Sequence, residues 1–450
     1  MSWLLFAPEA WSQEDAGPPK NTGSPTADQQ ADGLAALEAE ARLFVDRLAA
    51  GEFDAATKGF DETIAGALRP QQLESIWTNL QKSVGDYQRL KGIRHESVDL
   101  YDIVFVTCEF ANATLDTKVV FDRQGRISGL FFVPTTPPRA YAVPAYVNPD
   151  TFREEEVTFG VDPWKLPGSL SRPVGAASAP AVVLVHGSGP NDRDETVAAN
   201  KPFKDLAGGL ASKGIAVLRY DKRTKVHTGR IPENATVKEE TIDDVIAAVD
   251  WLSKQPAIDA KRIFVIGHSL GGYLVPRIAQ ADRNERIAGY VIIAGNTRPL
   301  EDLIAEQTRY ILGLDGDISA SDQEALEKIA QQVRRVKMLS NEDGPKTEVF
   351  GASPSYWLDL DGYHPHQEAR ALDAPMLILQ GERDYQVTME DFANWKAALS
   401  DREHVRFKSY PNLNHLMMGG SGLSQPAEYE EPGHVAPEVI DDITKWVRAH

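Results

Sequence analysis

Cysteine is almost absent from this sequence of 450 residues, with Cys108 its only copy. That excludes an intrachain disulfide framework and a cysteine-built zinc site. No apolar run approaches the roughly 18 residues that a membrane-spanning helix needs. Positive charge is also scarce. There are 47 Lys and Arg against 66 Asp and Glu, a net charge of −19 and an isoelectric point near 5.0. Such a surface repels phosphate backbones and anionic headgroups, which argues against nucleic-acid or lipid-surface partners. What is present is ordinary for a globular chain: 42% hydrophobic and 25% charged residues. At about 150 residues per domain the length implies two or three domains and a sizeable core.

The chain starts with a short apolar patch, Trp3 to Ala7, and Ala10-Trp11-Ser12 before Gln13 has the look of a signal-peptidase site. A charged n-region is missing and the patch is too short for a complete signal peptide. Two readings stand for residues 1–33: a truncated signal peptide with a Pro/Gly/Ser/Asp/Gln linker, or a disordered tail. The first implies a periplasmic or secreted protein, the second a cytoplasmic one. From Leu34 the pattern is helical, with Leu37, Phe44 and Leu48 on one face, and a second helix is expected over Gln71–Val84. Strand-like runs follow at Tyr101–Phe110, Asp116–Phe121 and Ile127–Val133. Helices followed by antiparallel strands predict a small α+β domain over 34–138, closed by the proline-rich stretch Pro134–Pro144.

Beyond 139 the rhythm changes. Strands are expected at Glu154–Phe159, Ala181–Val185, Ile215–Leu218, Ile263–Ile266, Tyr290–Ala294 and Met376–Leu379. The continuous apolar run AVVLV suits a strand covered on both faces of a parallel sheet. A helix over Ile242–Leu252, capped by Thr241 and Asp244, and another from about Leu270 alternate with these strands. That alternation predicts an α/β domain with a parallel sheet. Residues 298–370 interrupt it as a helical insertion, expected to leave and rejoin the sheet at its C-terminal edge as a cap.

The chemistry centres on Gly267-His268-Ser269-Leu270-Gly271 between a strand and a helix. A G-x-S-x-G sequence gains meaning there, because a sharp strand-to-helix turn exposes the serine hydroxyl and needs small flanking residues. A serine attacks only with a histidine base oriented by a carboxylate, in the chain order Ser, acid, His for this architecture. Asp384 lies in the loop after the Met376–Leu379 run, ahead of its rivals Glu382 and Asp361. His415 lies past the strand-like Val405–Tyr410, whereas His404 precedes that strand and His434 sits in a later loop. An oxyanion hole needs two converging N–H donors. The Leu270 amide is one, and the loop His186-Gly187-Ser188-Gly189 supplies the other, with Ser188 preferred over Gly187 or Gly189.

Together His186-Gly187-Ser188-Gly189, Leu218-Arg219-Tyr220-Asp221-Lys222-Arg223, the serine elbow, Gly381-Glu382-Arg383-Asp384 and Asn414-His415 resemble the α/β-hydrolase superfamily. They are most similar to bacterial esterases of its serine-aminopeptidase-like or dienelactone-hydrolase-like branch. Residues 34–135 resemble the small domain of unknown function often fused ahead of such hydrolases, with a nuclear-transport-factor type of fold. The resemblance implies an α/β-hydrolase fold, a Ser269–Asp384–His415 triad and hydrolysis of a small neutral ester without cofactor or metal. A peptidase or thioesterase, or a binding protein with a vestigial hydrolase domain, are the alternatives. Thr224-Lys225-Val226-His227 stands where the family usually continues into a glycine-rich loop.

Gly187, Gly189, His268, Tyr356 and Trp357 are candidates for the substrate pocket. His364-Pro365-His366 lacks a third ligand for a metal. Asp192, Arg193 and Asp194 read as a solvated ion-pair cluster, and Cys108 as a core residue. Homo-oligomerisation is left open by the sequence.

Overall fold

A computed structural model describes residues 27–450, apart from 99–100, 123, 136–140, 228–229, 341 and 344–347. The proposed signal-peptidase site and most of the linker lie outside the described residues. Residues 27–33, expected as linker, begin the helix Ala27–Ala49 instead. The run is rich in Ala and Gln, good helix formers, and continues without a break into the face already legible from Leu37. The chain divides into two compact units, the smaller ending at Arg139 and the larger beginning at Ala140.

In the smaller unit four antiparallel strands run in sequence order: β1 (Tyr87–Val98), β2 (Tyr101–Phe110), β3 (Thr114–Phe121) and β4 (Ile127–Pro134). Ala41, Phe44, Val45 and Leu48 of the first helix are fully buried against this sheet. Leu73 and Trp77 of the helix Pro70–Val84 join them. Strand β1 was not expected, because its Gln, Arg, Lys and His content reads as loop. It is an edge strand broken by two register shifts, where charge is tolerated. Cys108 is buried in this core as expected, and burial pushes its thiol up to about 11.

The larger unit holds eight strands in the order β12-β11-β10-β9-β7-β8-β6-β5. They are β5 (Phe152–Phe159), β6 (Leu166–Pro173), β7 (Ala179–Val185), β8 (Ala216–Tyr220), β9 (Ile258–His268), β10 (Ile287–Ile293), β11 (Met376–Gly381) and β12 (Val405–Tyr410). From β8 to β12 the pairing is parallel, and β5 and β6 run antiparallel at the edge. Residues of β7 alternate between two cores. Ala181, Val183 and Val185 face the helix Asp243–Leu252, and Val182 and Leu184 face the helices Pro202–Ser212 and Pro437–Ala449.

Two local expectations fail. Thr241 and Asp244 do not cap the helix after β8. A wide turn, Lys238–Ile242, with π-type bonding runs directly into it, and Asp244 is buried in an ion pair with Arg223. The insertion leaves at the C-terminal end of β10 but rejoins at the N-terminal end of β11, because those strands are parallel. Its helices are Leu300–Leu312, Ala320–Lys337, Pro354–Leu360 and Pro365–Glu368. By Tyr363 and Ala369 the chain is already part of the main core. Among the described residues no helix is long and apolar enough to cross a membrane.

Candidate active site

Ser269 follows β9 directly and takes φ 52° and ψ −118°. A side chain in that region is strained, and the strain persists only where the surroundings hold it. They do so here by close approach. A Cβ at Gly267 would overlap the Gly271 carbonyl, and one at Gly271 would overlap the carbonyl of Val185. The Ser269 N–H is held by the Ile293 carbonyl at 2.9 Å. Leu270 begins the helix Leu270–Tyr273, so its N–H belongs to the first turn, where no intrahelical acceptor exists.

Asp384 and His415 come together from the loops after β11 and β12. His415 Nδ1 lies 2.7 Å from Asp384 Oδ2, and both side chains are buried. The carboxylate accepts further from the Gln386 and Val387 amides at 2.8 and 3.0 Å and from Gln380 Nε2 at 3.1 Å. The loop of His415 is fixed by Asn414, whose Oδ1 accepts from the amides of Leu416 and Met418, each at 3.1 Å. His268, the residue before the serine, places its ring 4.7 Å from the His415 ring. All three candidates therefore lie past the C-terminal ends of parallel strands, at one end of the sheet.

The rivals lie elsewhere. Glu382 accepts from Ser409 Oγ at 2.7 Å, Asp361 is exposed in the insertion, and His404 Nε2 is 3.4 Å from the Leu372 carbonyl at the opposite edge. His434 faces Asp205 at 3.2 Å.

The loop after β7 sits against the serine. A Cβ at Gly187 would fall 3.2 Å from the Ser269 Cβ, so a larger residue there would crowd the serine. The Gly187 N–H donates to Glu195 Oε1 at 2.6 Å, which removes it as an oxyanion donor. Ser188 is exposed, and among the described residues none accepts its N–H. Gly189 follows with φ +94°. Asn191 Nδ2 spans the loop, donating to the carbonyls of Gly187 and Ser188 at 3.2 and 3.0 Å.

Three sequence expectations need correction. His268 lines a small buried cavity with Phe203, Leu206 and Met417, not an open substrate cleft. It is 6% exposed, with Nδ1 at 2.9 Å from Glu195 Oε2 and Nε2 at 3.0 Å from the His415 carbonyl. The Glu195 contact is thus an ion pair, and the His415 carbonyl is the ring's hydrogen-bond partner. Trp357 is no pocket wall either. Its Nε1–H donates to the Val349 carbonyl at 2.8 Å, and the ring packs with Val336 and Val349 in a small core of the insertion itself. Tyr356 beside it packs against both that small core and the main core of the body. The Asp192–Asp194 run is not a solvated cluster. Asp194 is buried against Arg219, and Arg193 pairs with Asp221 at 2.9 Å. The reason is that Arg219 at the end of β8 and Asp221 just after it supply partners that the local sequence does not show.

Glu195 was missed entirely. It is 3% exposed, carries a positive φ of 50°, and links the Gly187 loop to His268. The available signal was an acidic run directly after a glycine-rich loop, matched by Arg219, Lys222 and Arg223 one strand later. Burial disfavours charge on Glu195 and on His268 alike. The opposite charge outweighs it, holding Glu195 below its usual 4.5 and His268 above its usual 6.5. The Glu195 contribution is present above about 4.5 and lost as pH falls through its lower folded value. The His268 contribution is complete below about 6.5 and lost as pH rises through its higher folded value. Glu195→Gln keeps an acceptor for Gly187 but removes the charge. Its melting temperature should therefore lie furthest below that of the unsubstituted protein near pH 5–6, with the gap closing towards pH 9. Calorimetry across that range checks this, and a gap that stays constant with pH contradicts it.

Among the described residues no group of three or more His, Cys, Asp or Glu side chains is arranged to hold a metal ion. His364 and His366 have ring centroids 6.1 Å apart.

Residues 182–431 match the alpha/beta hydrolase family, and residues 41–130 match a family described as a protein of unknown function, DUF3887. The chain is 40% identical over 414 residues to Esterase EstD of Thermotoga maritima, covering 92% of this chain and 95% of that protein. It is 27% identical over 193 residues to acylamino-acid-releasing enzyme 1 of Oryza sativa, covering 39% of this chain and 23% of that protein. Among solved structures, Est1E from Butyrivibrio proteoclasticus aligns with a TM-score of 0.42 and 16% identity, over 66% of this chain and 99% of that one.

Proposed function

The chain belongs to the alpha/beta hydrolase family, and from that premise we propose that it is a serine hydrolase of small neutral carboxylic esters. The carrying observation is Ser269 on a strained elbow at the same end of the sheet as a buried, hydrogen-bonded Asp384–His415 pair. With Nδ1 turned to Asp384, Nε2 is the His415 nitrogen left to take the serine proton. In this reading Ser269 Oγ attacks the ester carbonyl, and its proton passes to His415 Nε2. The carbonyl oxygen becomes an oxyanion facing the Leu270 and Ser188 amides. Collapse expels the alcohol, which takes the proton from His415 and leaves an acyl-serine. A water then repeats the sequence and releases the acid. The identity to an esterase across nearly the whole chain supports ester bonds over amides, as does the chemistry, since an amine leaving group must be protonated before it departs.

The insertion bears on substrate size. Tyr310 of its first helix stacks on Tyr385 at 4.9 Å and 3°, and both pack with Leu416, next to His415. Aromatic and aliphatic walls this close to the triad suit a short acyl group. Of p-nitrophenyl esters with graded acyl chains, aminoacyl anilides and thioesters, those with roughly two to six acyl carbons should show the highest kcat/KM, with anilides at least ~100-fold poorer. Preference for long-chain esters, or anilide rates equal to ester rates, contradicts the reading. The partial likeness to an acylamino-acid-releasing enzyme makes the anilide arm the informative one.

A further inference from the structure

The stretch Arg219–Arg223, from the end of β8 onward, carries four charges, and three have purely structural partners. Arg219 pairs with Asp194 and Glu154, Asp221 with Arg193, and Arg223 with Asp244. Lys222 differs. It is 2% exposed, and its ammonium reaches Glu240 Oε1 at 2.6 Å and the Gly187 carbonyl oxygen at 2.9 Å.

That carbonyl belongs to the same peptide unit as the Ser188 N–H. In a trans peptide the C=O and N–H vectors point in opposite directions, with little freedom of the plane between them. A cation that fixes the Gly187 oxygen on one side therefore aims the Ser188 N–H to the other. Asn191 Nδ2 adds a second donor to the same oxygen at 3.2 Å. Positive charge on the carbonyl also polarises the amide and strengthens its N–H as a donor. The preceding N–H, that of Gly187, is turned to Glu195. The loop thus presents the Ser188 amide with its peptide plane clamped from behind.

We propose that Lys222 is a positioning residue of the oxyanion hole, acting through the Gly187–Ser188 peptide without touching substrate. Glu240 holds the ammonium in place from the wide turn Lys238–Ile242, a conformation frequent at functional sites. The assignment rests on the reading of Ser269 as nucleophile and of Ser188 as an oxyanion donor.

The test compares Lys222→Met and the double variant Lys222→Met/Glu240→Gln with the unsubstituted protein. The double variant leaves no buried unpaired carboxylate, so it separates a lost clamp from a lost ion pair. The readouts are kcat and KM for p-nitrophenyl acetate, and the inhibition constant of an aryl trifluoromethyl ketone, which forms an oxyanion on binding. Removing an oxyanion donor outright costs ~10²–10³ in kcat. Misaiming one should lower kcat by about 10–100-fold in both variants, with KM changed by less than about threefold. The ketone constant should rise by the factor by which kcat/KM falls. Losses confined to KM or to melting temperature, or unchanged kcat and ketone binding, overturn the role of Lys222. If a fluorophosphonate labels a residue other than Ser269 in the unsubstituted protein, the triad reading and this proposal fall together.

Discussion

Ser269→Ala is expected to lose ester hydrolysis by a factor of ~10⁴ or more in kcat, because members of a triad act as a unit. The hydroxyl is the only atom removed. The elbow that strains residue 269 is imposed by Gly267, Gly271 and the Ile293 carbonyl and not by the side chain. The variant should therefore keep its fold, with a melting temperature within a few degrees of the parent. A fluorophosphonate should label the parent once and the variant not at all. Residual activity within about tenfold of the parent would show that another group carries the attack.

Asp384→Asn should be nearly as damaging, with kcat down by ~10³–10⁴ and KM little changed. The substituted amide still fills the site and still accepts from the Val387 and Gln386 amides through its oxygen. Facing His415 Nδ1, however, it can present an N–H, which favours the tautomer whose proton sits on Nε2. That is the nitrogen that must be unprotonated to accept from serine. Glu382→Gln, by contrast, alters only a contact with Ser409 and should leave kcat within about twofold. If Glu382→Gln is the more harmful of the two, the acid has been misassigned.

What the sequence allowed was set by how local each signal is. Ser269, Asp384 and His415 follow apolar strands whose buried runs, Ile263–Ile266, Met376–Leu379 and the ends of Val405–Tyr410, show in any window of a few residues. The loops after those strands then lie at one end of a parallel sheet by topology alone. Strand β6 escaped notice because Pro167, Gly168, Ser169 and Ser171 disguise it. Its two serines are buried only because Glu156 and Glu154 of β5 accept from them. Glu195, His268, Lys222 and Glu240 were illegible for a similar reason. Each is a buried ionisable side chain whose partner comes from a distant part of the chain, and burial of charge is decided by that partner. Tyr356 and Trp357 are adjacent aromatics that the sequence treats alike. The helix Pro354–Leu360 buries Trp357 in the insertion's core and sets Tyr356 between that core and the body.

The central claim is an acyl-enzyme on Ser269, and trapping it tests the claim most directly. The protein is mixed with p-nitrophenyl acetate, quenched in acid within the first turnover, digested and sequenced by mass spectrometry. One acetyl group on the peptide containing Ser269, located on that serine and missing from Ser269→Ala, is the expected result. A full burst of nitrophenol with the acetyl group on another side chain would contradict the account.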